Sequence, residues 1–322
     1  VDVAALNLPP KGDVVDWLAA NPQATETDIF ALPTIELPKL SAQDSQTGVS
    51  LIRASDLEPE PIRWLWDGWL ARGKLHVLAG APGTGKTTIA LALAATVTIG
   101  GRWPDGSRCE PGNVLIWSGE DDPKDTLLPR LLAAGADPDR VFFVGDMRAD
   151  DEERSFDPAR DMQALQIEAA RVGDVRLMIV DPVVNAVAGD SHKNGDVRRA
   201  LQPLVELSTK LDVAALGISH FSKGTAGRDP VERVTGSIAF GALPRVVMAT
   251  AKIEGDDGKQ GRLFARAKSN IGPDGGGYDY TIEEVELVGH SGLFASRVLW
   301  GDPLEGSARD LLAVADTAAD PE

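Results

Sequence analysis

The chain has 322 residues, 43% of them hydrophobic, and its 49 acidic and 32 basic side chains give a net charge of −17. This composition indicates a folded globular protein and argues against nucleic-acid binding through a generally basic surface. A single cysteine, Cys109, excludes an internal disulfide framework and favours a reducing cytoplasm. No apolar run of about 18 residues occurs, so we expect neither a membrane span nor a membrane partner.

The N-terminal region, residues 1–61, predicts little regular structure. Residues 12–20 form a short amphipathic pattern that Asp13 would cap as a helix. From 21 to 61 the pattern loses its period and collects prolines, which indicates a linker wrapped on the surface. We therefore expect the main domain to begin near residue 62.

Apolar strand patterns then alternate with helical patterns. Strands are predicted over 74–79, 113–118, 140–144, 176–181 and 212–219. Helices are predicted over 86–99, 123–134, 158–172 and 196–210. Buried strands separated by helices predict an α/β fold with a parallel sheet covered on both faces.

The alternation stops after residue 240. The remaining apolar runs predict strands over 245–253, 261–269, 278–287 and 293–300. Gly- and Asp-rich turns join them, so we expect an antiparallel extension of the sheet that completes a domain over 62–302. The tail, 303–322, predicts one more helix over 305–318 with Ser307 as its cap.

A phosphate-binding loop follows the first of the parallel strands. Residues 80–87 read Gly-x-x-x-x-Gly-Lys-Thr between a strand and a helix, which is the context that this motif requires. Backbone N–H groups of such a loop surround the β-phosphate, Lys86 holds the β- and γ-phosphates, and Thr87 binds Mg²⁺. The expected nucleotide contacts are Gly80, Ala81, Pro82, Gly83, Thr84, Gly85, Lys86, Thr87 and Thr88. The sequence therefore predicts an ATP or GTP site with Mg²⁺.

Carboxylates follow two further strands. Asp181 ends the run 176–181, where a second Mg²⁺-organising group belongs, although an Asp beside a proline also suits a turn. Because Pro182 follows it, the catalytic base must come from elsewhere. Glu120 comes first after the strand 113–118 and could polarise the attacking water, unless the acidic run 120–122 only caps the next helix.

His220 ends the strand 212–219. At the carboxyl end of a strand in this sheet, its imidazole could hydrogen-bond the γ-phosphate or its water, although a lone histidine is more often structural. Trp64, Trp66 and Trp69 precede the first strand of the domain. One of them could stack on adenine, but their spacing favours packing against the sheet edge.

Six motifs together resemble those of RecA-like ring ATPases. In chain order they are "GAPGTGKTT", "WSGEDD", "LMIVDP", "ISHFSKG", "RVTGSIAFGALPRVV" and "RAKSNIGP". The set looks most like the RepA-type hexameric helicases of plasmids and phages, and more distantly like DnaB-type replicative helicases, over about residues 60–300. The segment "KGDVVDWLAANP" also resembles the tail of a Toprim-type primase segment, which implies a fused or associated primase.

The resemblance implies a homohexameric ring with ATP at the subunit boundaries. It assigns Glu120 as the catalytic carboxylate, Asp181 as the metal-organising residue and His220 as the γ-phosphate sensor. Arg233 would reach the neighbouring subunit's phosphates, with a surface salt bridge as the alternative.

A second cation of the resemblance, Lys268, would point to the same neighbouring site. DnaB-type relatives carry an arginine two residues later, where this chain has Asn270. That departure leaves Arg233 or Arg266 to carry more of the role.

Two stretches, 184–199 and 222–233, are expected to project into the channel of the ring as loops. Their candidate contacts to single-stranded DNA are His192, Lys193, Arg198, Arg199, Lys223 and Arg228. A few basic groups on mobile loops suffice to follow a phosphate backbone, although solvated loops of mixed charge are the alternative.

The sequence as a whole favours an Mg²⁺-dependent ATPase that moves on single-stranded DNA as a helicase during plasmid or phage replication. A RecA-like regulatory or recombinase-like ATPase without unwinding is the second hypothesis. A monomeric P-loop kinase of a small molecule is the third, disfavoured because no arginine-rich lid is evident.

Overall fold

The computed structural model describes residues 6, 13–32, 51–149, 152–187, 193–222, 224–225, 227–234, 238–254 and 260–318. The chain divides into two compact units, Val1–Glu60 and Pro61–Glu322. No helix in the described part of the chain is both long and apolar enough to cross a membrane.

Among its described residues, the first unit has two short α-helices, α1 (Val14–Ala20) and α2 (Glu26–Phe30), and a 3-10 turn over Ala54–Asp56. As predicted, Asp13 caps α1, and its carboxylate accepts hydrogen bonds from the backbone N–H groups of Val15 and Asp16. The helix α2 lies inside the segment predicted as a linker, where Thr25 and Asp28 bond each other around its first turn. This local capping specifies a helix that the apolar pattern alone does not show.

The second unit is built on a nine-stranded sheet. Its strands and those of two small ribbons are β1 (Trp64–Trp66), β2 (Leu70–Ala71), β3 (Leu75–Gly80), β4 (Asn113–Ser118), β5 (Val141–Phe143), β6 (Met147–Ala149), β7 (Glu152–Arg154), β8 (Val175–Asp181), β9 (Ala214–His220), β10 (Val246–Glu254), β11 (Gln260–Ser269), β12 (Gly277–Glu286) and β13 (Phe294–Leu304). The order across the large sheet is β13-β12-β11-β10-β3-β9-β8-β4-β5. The β1–β2 and β6–β7 pairs form separate antiparallel ribbons.

The sheet is parallel from β10 to β5 and antiparallel from β10 to β13. The four strands after residue 240, β10 to β13, therefore form the expected antiparallel extension, and β10 joins it to the parallel strands. This strand pairs parallel to β3 on one side and antiparallel to β11 on the other. An apolar run predicts a strand but not the direction of its partner, so the sequence pattern leaves this junction open.

Helices cover both faces of the sheet. The remaining helices are α3 (Lys86–Ile99), α4 (Leu128–Ala133), α5 (Met162–Val172), α6 (Asn194–Leu211), α7 (Ile238–Ala242) and α8 (Ala308–Ala318). One core joins α3 to side chains such as Leu78 and Ile116, and the other joins α5 and α6 to Val77 and Leu115. Adjacent residues of one strand thus enter opposite cores, which is why these strands read as continuous apolar runs. This architecture is the mainly parallel α/β fold with an antiparallel side that the sequence predicts.

The three early tryptophans are packing residues. Trp66 and Trp69 are buried and stack on each other with ring centroids 4.9 Å apart. Trp103 stacks on the other side of Trp66, and Phe264 of β11 lies against both Trp66 and Trp69. The packing alternative is therefore confirmed, with Trp64 and Trp66 on β1 and Trp69 in the turn that leads to β2.

His76 and Cys109 are two further buried side chains of this unit. His76 of β3 accepts a hydrogen bond from the Ala71 N–H at 2.9 Å, and its other ring nitrogen donates to the Ala215 carbonyl at 3.0 Å. Burial lowers the pKa of His76 to about 4, so the imidazole is neutral and fixed in one tautomer at pH 7. Cys109 is buried in the α3 core, and this burial raises the pKa of its thiol to about 12.

Candidate nucleotide site

The site lies where β3, β4, β8 and β9 end. These strands are parallel, so their carboxyl ends meet at one edge of the sheet. The register places Gly80 opposite His220 and Ser118 opposite Asp181. The structure thus brings together the strand ends that carry the predicted loop, carboxylates and histidine.

The loop between β3 and α3 has the backbone that its glycines permit. Gly83 and Gly85 have φ angles of 74° and 92°, in the left-handed region that disfavours other residues. A Cβ at Gly80 would lie 2.3 Å from the Thr250 hydroxyl oxygen, and one at Gly85 would lie 2.3 Å from Ile282. The loop is therefore shaped by its own glycines and by strands β10 and β12 behind it.

Lys86 is a buried cation at the first turn of α3. Its ammonium donates to the carbonyl oxygens of Gly80 and Ala81 at 3.1 and 3.0 Å. Burial lowers the pKa of Lys86, against the opposing influence of the Asp181 and Glu120 carboxylates. A buried ammonium beside a loop of backbone donors fits the phosphates of a nucleotide.

The Thr87 hydroxyl donates to the Asp181 carboxylate at 2.7 Å. Burial raises the pKa of Asp181 to about 6, and the Thr87 hydrogen bond opposes this rise. In the described residues no cluster of three or more His, Cys, Asp or Glu side chains could hold a metal. One hydroxyl and one carboxylate fit Mg²⁺, which commonly completes its octahedron with water and phosphate oxygens.

The acidic run after β4 separates into three environments. Asp122 caps the helical turn that starts at Pro123, accepting from the Lys124 N–H at 2.7 Å, and Asp121 lies 3.4 Å from an Arg130 nitrogen. Glu120 is exposed, and its carboxylate has no hydrogen-bond or ion-pair partner in the described residues. The capping alternative thus applies to Asp122, and Glu120 is left facing the site.

His220 shares this environment. Partial burial lowers its pKa, the nearby Lys86 ammonium lowers it further, and Glu120 opposes both. The geometry agrees with this arrangement. The Thr87 hydroxyl joins the first turn of α3 to Asp181, and the register sets His220 beside Gly80, whose carbonyl accepts from Lys86.

The three cations considered for a neighbouring subunit are all engaged within their own chain. Arg233 is 8% exposed as a whole residue, and its guanidinium carbon lies 4.5 Å from the Phe221 ring centroid. The Lys268 ammonium donates to the carbonyls of Gly241 and Ala242 at 2.9 and 3.0 Å, which terminates α7. Arg266 lies over Trp69 and donates to the Gly68 carbonyl.

The candidate DNA contacts fall outside the nucleotide loop. Arg198 and Arg199 are exposed on the first turns of α6 and not on the predicted loop, because that helix begins at Asn194. Lys193 immediately precedes the helix, and Arg228 is exposed in the segment after β9. His192 and Lys223 lie outside the described residues.

Sequence reasoning missed the contacts behind the loop. The Tyr280 hydroxyl donates to the Thr84 carbonyl at 2.6 Å, and the hydroxyls of Thr84 and Thr250 are 2.8 Å apart. Thr250 and Tyr280 lie 166 and 196 residues from Thr84 along the chain. No local motif joins positions so distant, and only the sheet order brings them together.

Comparison with known proteins agrees with this architecture. The mouse (Mus musculus) DNA repair protein RAD51 homolog 4 is 26% identical over 225 residues, which is 66% of this chain and 65% of the relative. The chain thus spans less than two thirds of the length of this relative, and the similarity supports a RecA-like ATPase fold without identifying a hexameric helicase. A family model described as AAA domain matches residues 39–226, more than half of the chain and including the phosphate loop, Glu120, Asp181 and His220. The chain therefore belongs to this AAA domain family.

Proposed function

We propose that the protein is an Mg²⁺-dependent ATPase whose hydrolysis is coupled to DNA. The observation that carries the proposal is the convergence of the phosphate loop, Lys86, the Thr87–Asp181 pair and Glu120 at one sheet edge. Each group has a defined task in phosphoryl transfer to water, where positioning and charge stabilisation dominate catalysis.

Different residues of the chain would bind the phosphates, bind the metal and activate the attacking water. The loop N–H groups and Lys86 would hold the phosphates, and Thr87 with Asp181 would hold Mg²⁺. When bound, Mg²⁺ would neutralise part of the phosphate charge. Glu120 would accept a proton from the attacking water, and His220 would report the state of the γ-phosphate to the segment that follows it.

Unwinding by a homohexameric ring is the finer form of the proposal, and it rests on the resemblance of the six motifs. It requires a neighbouring subunit to supply a cation, whereas Arg233, Arg266 and Lys268 are each held in their own chain. In a ring, Arg233 would therefore have to leave Phe221 to act on a neighbour. Exposed Lys193, Arg198 and Arg228 are suited to modest, salt-sensitive contact with single-stranded DNA.

A recombinase-like or regulatory ATPase without unwinding is the second candidate. The similarity to a DNA repair protein favours it. DNA-stimulated hydrolysis with strand displacement would support the helicase, and stimulation without displacement would support this candidate. A specific hydrolysis rate independent of both protein concentration and DNA would instead favour a monomeric enzyme.

Lys86→Ala tests the shared core of these proposals. Loss of the buried cation should abolish ATP binding, measured by calorimetry, and remove Mg²⁺-dependent hydrolysis. Lys210→Ala is the matched control because Lys210 is exposed near the end of α6. Wild-type affinity in Lys86→Ala would refute the assignment of the phosphate loop.

A further inference from the structure

A second lysine lies at the phosphate loop. Lys252 is on β10, two residues after Thr250, and its side chain is exposed. A Cβ built at Gly83 would lie 3.7 Å from the Lys252 ammonium nitrogen and 3.9 Å from its Cε. The ammonium thus reaches the middle of the loop from a strand that the loop motif does not include.

A second cation faces Lys252 in the sheet. Arg262 lies directly opposite it across the β10–β11 ladder. The Arg262 Nε is buried without a hydrogen-bond partner, and the Lys252 ammonium has no hydrogen-bond or ion-pair partner in the described part of the chain. Like charges directly opposite each other destabilise a sheet, so an anion bound beside them would relieve an existing repulsion.

At the carboxyl ends of the parallel strands, by contrast, most of the charged side chains are acidic. Asp181 accepts a hydrogen bond from Thr87 there, Glu120 and Asp121 follow β4 at the same edge, and Lys86 is the cation at the start of the loop. The Lys86 ammonium is itself bonded to the Gly80 and Ala81 carbonyls, away from Gly83. A polyphosphate in the loop would therefore meet two cations. Buried Lys86 lies at the start of the loop, and exposed Lys252 lies at the middle of the loop.

We propose that Lys252 is a second phosphate-contacting cation of this site, supplied by the same chain, with Arg262 strengthening the local positive potential. This role of Lys252 rests on the proposed function, because the ligand that Lys252 would contact is the phosphate chain of a nucleoside triphosphate. Through Lys252, the antiparallel side of the sheet would take part in nucleotide binding. This residue lies outside the range 39–226 that the family model matches.

The test compares Lys252→Gln and Lys252→Arg with wild type and with Lys210→Gln as the surface control. Calorimetry should show ATP bound about tenfold more weakly by Lys252→Gln, since a charge-assisted hydrogen bond is lost, and within about twofold of wild type by Lys252→Arg. The salt dependence of ATP affinity should become shallower in Lys252→Gln. Lys210→Gln should match wild type in both measurements.

Thermal unfolding without nucleotide separates this role from a structural one. Removing one of two facing positive charges should leave the Tm of Lys252→Gln unchanged or slightly raised, while the Tm increase on adding ATP becomes smaller. Wild-type ATP affinity and salt dependence in Lys252→Gln, with binding still lost in Lys86→Ala, would overturn the role of Lys252 alone. Failure of the wild-type chain to bind ATP would overturn the proposed function itself.

Discussion

The parallel and antiparallel sides of the sheet touch the same loop with different chemistry. Strands β8 and β9 end in the polar side chains Asp181 and His220, and the carboxylate Glu120 follows the end of β4 by two residues. Strand β12 instead contacts the loop through a phenol, Tyr280, and an aliphatic chain, Ile282. We therefore expect the parallel side of the sheet to perform the chemistry and the antiparallel side to hold the loop in shape, with β10 between them.

Glu120→Gln should give the largest effect of three further changes. The amide cannot accept a proton from water, so hydrolysis should fall about 10²-fold or more while ATP remains bound. Steady-state hydrolysis and equilibrium binding of ATP separate the two properties. Asp121→Asn and Asp122→Asn are matched controls, since these carboxylates serve Arg130 and the helix cap. A near wild-type rate in Glu120→Gln would move the base away from this residue.

His76→Gln tests how β3, the strand next to β10, contributes to stability at different pH values. The folded pKa of about 4 lies below the ordinary histidine value of 6.5, so the folded state binds fewer protons and stability is lost as pH falls below 6.5. This linkage should cost the wild type about 2 kcal/mol of unfolding free energy between pH 7 and pH 5.

Glutamine does not titrate and can keep one acceptor and one donor in place of the imidazole. Urea unfolding at both pH values should therefore show a smaller acid loss for His76→Gln than for wild type. Equal losses in the two proteins would mean that His76 is not the titrating group.

Tyr280→Phe should give the smallest effect and addresses the antiparallel side. It removes only the hydroxyl that donates to the Thr84 carbonyl, which should cost about 1 kcal/mol of unfolding free energy. We expect ATP affinity to fall severalfold, with little change in the hydrolysis rate at saturating ATP.

Tyr278→Phe is the control for that change. Tyr278 is buried on the same strand, in the same aromatic cluster, and its hydroxyl has no hydrogen-bond partner in the described residues. Equal effects of the two substitutions on ATP affinity would remove the special role of Tyr280. A large loss of the saturated hydrolysis rate in Tyr280→Phe would mean that the antiparallel side takes part in the chemistry.

The sequence was most informative about the parallel side. Apolar runs predicted β4 with its observed bounds and β8 to within one residue, because strands buried on both faces have a simple pattern. The loop motif likewise predicted the start of α3 at Lys86. The roles of Glu120, Asp181 and His220 in catalysis stay predictions, although the fold brings these residues together.

The antiparallel side could be predicted as strands but not as contacts. The attachment of Tyr280 and Thr250 to the loop depends on sheet order across more than 160 residues of chain. The hydrogen bonds from Lys268 to the end of α7 could not be predicted either. A lysine in a motif has the same sequence pattern whether it contacts a neighbouring subunit or a carbonyl of its own chain.

The buried thiol of Cys109 has a practical consequence for observing the molecule at work. It is the single cysteine of the chain, and with a pKa of about 12 it is almost entirely protonated at neutral pH while shielded by the core. A cysteine introduced on the surface, for example at Arg228, would then react with a maleimide dye far faster than Cys109. The protein thus accepts a fluorophore at one chosen position without prior removal of its native thiol.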